Sequence, residues 1–155
     1  MHILFVCLGN ICRSPLAQGI MEQQLDIAGL SAQITADSCG TAAFNLGKHP
    51  DPRAIEAGLR AGYDISTQVS RQIAPVDFEC SDFIIAMDRM NLMNTRGIAP
   101  ADFGGEIELF GRYCQHGGNP QIADPYYEDA NRFDALIPEM ERAASGLLTY
   151  IRSTL

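Results

Sequence analysis

Short apolar runs alternate with stretches of helical spacing along almost the whole chain. Residues 3–6, 33–38, 82–87 and 107–110 have the length and character of strands, and the first and third are apolar enough to be buried on both faces. Between and after them, apolar positions recur at helical intervals over about 15–28, 52–62, 90–96 and 131–151. In the last of these, Phe133, Leu136, Ile137, Met140, Ala144 and Leu147 form one stripe, the core-facing side of a long helix. Such alternation predicts an α/β fold: a parallel sheet covered on both faces, with ligands bound beyond the carboxyl ends of the strands. The loops at 39–50, after Met87 and at 113–127 are expected to share that rim with the end of the first strand.

The 155 residues suit one domain, 1–155, and show no repeat or composition break. A formal net charge of −8 opposes non-specific binding to nucleic acid or to an anionic membrane, so an anionic ligand must be held locally. No apolar run is long enough to span a bilayer, and the N-terminal one is too short for a secretory signal. A soluble, cytoplasmic protein is expected. Five cysteines without CxxC pairs or zinc-type histidine spacing predict reduced thiols, no structural metal and no cofactor. His2, His49 and His116 have no catalytic spacing and are expected at the surface or in turns.

Candidate chemistry concentrates in Cys7-Leu8-Gly9-Asn10-Ile11-Cys12-Arg13-Ser14, a C-x5-R-S run between the first strand and a helix opening near Pro15. A loop of this length closing on a helix N-terminus turns several backbone N–H groups inward, and the helix dipole adds positive charge. That is a seat for a tetrahedral dianion. Gly9 and Asn10 both tolerate positive φ, which lets the chain wrap tightly. Arg13 can fork onto two equatorial oxygens, and the same positive field favours the thiolate of Cys7 as a nucleophile. Ser14 is placed to donate a hydrogen bond to that sulfur. A nucleophile of this kind needs an acid for its leaving group. Asp124, stiffened by Pro125 and followed by Tyr126 and Tyr127, is the candidate, with Glu128 and Asp129 as neighbouring alternatives.

These residues resemble the low-molecular-weight protein tyrosine phosphatases. Val6 to Pro15 matches the family's V-C-x-G-N-[IT]-C-R-S-P. Ser38-Cys39-Gly40-Thr41 resembles S-A-G-T, Pro50 to Arg53 resembles P-D-P-R, Ser70-Arg71-Gln72 resembles A-R-Q, Met87-Asp88 with Asn91 resembles M-D-x-x-N, and Asp124-Pro125-Tyr126 resembles D-P-Y. The resemblance implies a three-layer, doubly wound, flavodoxin-like fold around a four-stranded parallel sheet of order 2-1-3-4. It implies hydrolysis of phosphotyrosine and small aryl phosphates through a cysteinyl-phosphate, with Cys7 as nucleophile, Asp124 as acid and then base, and Arg13 with the loop amides holding the phosphoryl group. Asn10 would brace the loop through Ser14 and Ser38. Cys12 would trap oxidised Cys7 as a disulfide, giving redox control, while Cys39, Cys80 and Cys114 read as buried or partly buried thiols. Three departures fall on the expected rim loop: Cys39 replaces the usual Ala, Phe44 stands where many members have Trp or Tyr, and Asn45 follows it.

Leu8, Ile11, Phe44, Tyr126 and Tyr127 would wall a pocket deep enough to favour an aromatic ester over phosphoserine. The implied partners are phosphotyrosine-containing proteins, with a tyrosine kinase and self-association left open. Three rival readings remain. Phosphoarginine phosphatases resemble this chain but usually carry Thr where Ile11 stands. Thioredoxin-coupled arsenate reduction would need a relay cysteine after the third strand, where Met87 and Asp88 lie. A phosphate-sensing module would need no acid at Asp124.

Overall fold

The computed structural model describes residues 1–114 and 117–155, so the expectation for His116 lies outside the described residues. Four parallel strands, β1 (His2–Cys7), β2 (Thr35–Gly40), β3 (Phe83–Ala86) and β4 (Glu106–Leu109), form one sheet in the order β2-β1-β3-β4. The helices are α1 (Arg13–Ile27), α2 (Pro52–Arg60), α3 (Pro75–Cys80), α4 (Arg89–Ile98) and α5 (Ala130–Thr154).

Strand alternation builds the two cores. Ile3, Phe5 and Cys7 of β1 face the layer of α1 and α5, joining Leu16, Ile20, Phe133, Met140 and Leu147. Leu4 and Val6 face the opposite side, against Ile73, Phe78 of α3 and Ile84. Both central strands are therefore apolar on both faces, as their runs predict. The edge strands β2 and β4 carry the exposed polar positions. Because β1 leads outward to β2 and the chain then returns to β3 on its other side, the crevice lies beyond the carboxyl ends of β1 and β3.

Three elements depart from the expectation. The six-residue α3 is too short to show a period; Pro75 at its first position and Asp77, whose carboxylate accepts from Ala74 N–H at 2.8 Å, start it. Phe110 opens a 3-10 turn, Phe110–Tyr113, instead of ending β4, and its ring packs edge-on against Phe5. Strand β2 is shifted toward Gly40, which places Gly40 beside Cys7 in the register. Cys80 is exposed, not buried, because α3 turns it outward.

Candidate active site

Cys7 ends β1, and the chain from Leu8 to Cys12 loops before α1 begins at Arg13. The tight wrap is made at Asn10, at φ 57°; Gly9 does not use positive φ, contrary to expectation. Asn10 holds this conformation because its side chain is fully engaged. Its Nδ2 donates to Ser14 Oγ at 2.9 Å and to Ser38 Oγ at 3.0 Å, and its Oδ1 accepts from Arg71 N–H at 3.0 Å. Each partner comes from a different part of the rim, so one buried amide ties the loop to α1, β2 and the segment before α3. Asn10→Ala removes two buried hydrogen bonds and a partly buried third and puts a Cβ-bearing residue without local support in the left-handed region, a loss of about 3–4 kcal/mol. Chemical denaturation checks this against Asn10→Gly, which keeps the conformation and loses less; a change below about 1 kcal/mol for Asn10→Ala would refute it.

Gly40 does require its lack of a side chain. A Cβ there would lie 2.7 Å from Leu8 O and 3.2 Å from Asn10 N, so β2 can close on the loop only as glycine. Backbone bonds from Thr41 N to Cys7 O and Ala42 N to Leu8 O complete the seam. On the outer side, Gly9 O accepts from both Asn45 Nδ2 at 3.2 Å and Ser70 Oγ at 3.0 Å.

The sulfur of Cys7 is almost fully buried and accepts from Asn10 N–H at 3.2 Å. Ser14 Oγ lies 3.0 Å from it. With the sulfur ionised, Ser14 must be the donor of that pair. Cys12 differs. Burial, followed by the nearby charges of Asp51, Cys7 and Asp124, pushes its thiol well up, so it stays neutral and is no rival nucleophile.

Arg13, 2 % exposed, is anchored on one nitrogen: Nη1 donates to Asp88 Oδ2 at 2.7 Å and to Ile122 O at 2.9 Å. Asp124 approaches Nη2 at 3.6 Å. Nη2 and Nε are thus left for two oxygens of a bound dianion. Asp88 also caps α4, its Oδ1 accepting from Asn91 N–H at 2.8 Å. Sequence reading assigns Asp88 no role. A D-x-x-N box signals a helix start, but nothing local shows that its second oxygen is taken by an arginine 75 residues away.

Asp124 is in an irregular segment and its Oδ1 accepts from Tyr126 N–H at 3.1 Å. Around it, Cys7, Leu8, Gly9, Ile11, Cys12, Arg13, Phe44, Asn45, Tyr126 and Tyr127 line one cavity of about 210 Å³. Nearly every residue singled out from sequence meets there. Asn10, Ser14 and Ser38 stand behind it as supports. Glu128 instead pairs with Arg132, and Asp129 precedes the first turn of α5. Among the described residues, no cluster suited to a metal ion occurs.

The chain is similar to known proteins along its whole length. A family model described as low molecular weight phosphotyrosine protein phosphatase matches residues 2–155. The chain is 40 % identical over 133 residues to a low molecular weight phosphotyrosine protein phosphatase of Schizosaccharomyces pombe, covering 85 % of each chain. It is 35 % identical over 156 residues to that of Sus scrofa, covering 97 % of this chain and 95 % of the other. The crystal structure of a protein tyrosine phosphatase from Entamoeba histolytica superposes with a TM-score of 0.95 at 31 % identity, covering 99 % of this chain and 98 % of that one. With the signature loop, the sheet order and the full-length match in accord, the chain belongs to the low molecular weight phosphotyrosine protein phosphatase family.

Proposed function

We propose that this chain, as one domain over 1–155, hydrolyses phosphotyrosine in proteins by two in-line displacements at Cys7. In the first, the thiolate attacks phosphorus, the P–O bond to the phenol breaks, and Asp124 gives its proton to the departing oxygen. In the second, Asp124 takes a proton from water, which attacks the cysteinyl-phosphate and releases phosphate and the thiolate. Arg13 and the amides of residues 8–14 stabilise the transferring group throughout.

One observation carries this reading: Cys7 Sγ, with hydrogen-bond donors at Asn10 and Ser14, shares a cavity with the Arg13 guanidinium and the Asp124 carboxylate. The rim supports the choice of ester. Leu8, Phe44, Tyr126 and Tyr127 are exposed apolar or aromatic side chains around the cavity, suited to grip a ring rather than an aliphatic stem. Tyr126 and Tyr127 pack edge-to-face at 5.0 Å between centroids. The partners on this reading are phosphotyrosine-bearing proteins, with the kinase that modifies them as counterpart. No described helix is long and apolar enough to cross a membrane. All five cysteines are free thiols, which suits a reducing, cytoplasmic setting. Cys12, buried in the same cavity, is the thiol to which an oxidised Cys7 would bond.

Asp124→Asn is the direct test. It removes the proton while keeping the shape, so kcat/KM for phenyl phosphate is expected to fall ~10²- to 10⁴-fold, with affinity for inorganic phosphate retained. An unchanged rate would mean that the reaction needs no acid at this position.

A further inference from the structure

The acid loop has no regular structure, yet it must hold a carboxyl group in one direction. Two turns organise it from within: Asp124 Oδ1 accepts from Tyr126 N–H, and Pro125 O accepts from Glu128 N–H at 3.0 Å. Among the described residues, the long-range hydrogen bonds and ion pairs that reach residues 124–128 come from Arg13 and Arg53. Arg13 belongs to the phosphate seat. Arg53 has no part in the chemistry above.

Its guanidinium, though partly exposed, is held by several partners. As the second residue of α2 it folds back on the helix cap, Nε donating to Asp51 Oδ1 at 3.0 Å and Nη2 to Asp51 Oδ2 at 2.9 Å. The Arg53 bonds hold the Asp51 carboxyl below its usual range, so the pair stays charged near neutral pH. Nη1 donates to Glu128 O at 3.3 Å. The guanidinium carbon lies 4.6 Å from the Phe133 ring centroid in α5 and 5.4 Å from that of Tyr126. At the other end, Asp51 N–H donates to Ile11 O at 2.8 Å, inside the phosphate loop.

We propose that Arg53 is a positioning residue for Asp124: set over the Tyr126 ring and bonded to the Glu128 carbonyl, it clamps the acid loop and, through Asp51 and Ile11, fixes it against the phosphate loop. The proposal rests on Asp124 being the acid. Only a planar fork can serve Asp51 with two nitrogens, Glu128 O with a third, and lie against an aromatic ring; an ammonium supplies a point charge. A carboxyl misplaced by about 1 Å can lose ~10²-fold in rate, and that loss appears only where the proton matters.

The test is therefore a comparison of leaving groups. For Arg53→Met and Arg53→Lys, kcat/KM is measured with phenyl phosphate, whose phenolate needs the proton, and with 4-nitrophenyl phosphate, whose leaving group needs it far less. A fall of ~10- to 100-fold for phenyl phosphate, under ~3-fold for 4-nitrophenyl phosphate, and unchanged inhibition by inorganic phosphate are expected. In an Asp124→Asn background, Arg53→Met should add almost nothing. Arg53→Lys keeps the charge and the aliphatic stem, so it carries the test if the Met variant does not fold, and it should fail to restore the wild-type ratio. Equal losses for both esters, or additivity with Asp124→Asn, would overturn the proposal. If Asp124→Asn alone shows no dependence on the leaving group, the acid assignment falls instead, and the two failures are told apart.

Discussion

Cys7→Ser is expected to reduce turnover of aryl phosphates by roughly 10⁴- to 10⁶-fold, the scale seen when a covalent nucleophile is removed from a preorganised site. The substitution is nearly isosteric, so the 3 % exposed position should accept it without disturbing β1. What changes is the nucleophile. Asn10 N–H points at the Cys7 sulfur and Ser14 Oγ lies 3.0 Å from it, and a cysteine sulfur is intrinsically a far better nucleophile than a serine hydroxyl. Rapid quenching with a ³²P-labelled aryl phosphate should trap labelled wild-type protein and leave the variant unlabelled, while both still bind orthophosphate. A variant retaining more than about one per cent of wild-type turnover would remove Cys7 from the mechanism.

The second large effect concerns Arg13. Arg13→Lys keeps the charge and loses the fork, and kcat/KM is expected to drop at least ~10³-fold, about 4 kcal/mol of transition-state stabilisation. Two causes add. A lysine cannot span two equatorial oxygens, and it cannot at the same time satisfy Asp88 and Ile122 O as Nη1 does. Steady-state kinetics with 4-nitrophenyl phosphate isolates the first cause, because that ester depends little on Asp124; thermal unfolding reports the second. Loss of stability with near-normal kinetics would show that Arg13 acts as a structural ion-pair partner and not on the phosphoryl group.

The sheet order, both central strands and the cavity's principal residues were legible in the sequence, for different reasons. Unbroken apolar runs at Ile3 to Val6 and Phe83 to Ala86 can lie only in the middle of a covered sheet. Cys7, Arg13 and Ser14 are close in sequence because one loop and one helix start present them, and short-range spacing survives folding. The order 2-1-3-4 and the role of Asp124 came from resemblance; local pattern alone left Glu128 and Asp129 open. What escaped was long-range: Asp88 on Arg13, Arg71 N–H on Asn10, Asn45 and Ser70 on one carbonyl, and Arg53 on the acid loop. Each of these pairs joins residues separated by tens of positions, and its members look individually like caps, turns or surface charges. Helix α3 escaped because six residues carry no period.

The tethering of Arg13 by Asp88 and Ile122 has a thermodynamic corollary. Its rotamers are frozen during folding, so an incoming tetrahedral anion meets a receptor that need not rearrange. Such a receptor recognises the head group whether or not an aryl ring is attached, and the liberated orthophosphate inherits much of the affinity intended for the ester. Discrimination in favour of substrate must then arise at the aromatic mouth, and end-product inhibition is the built-in counterpart of a rigid cradle.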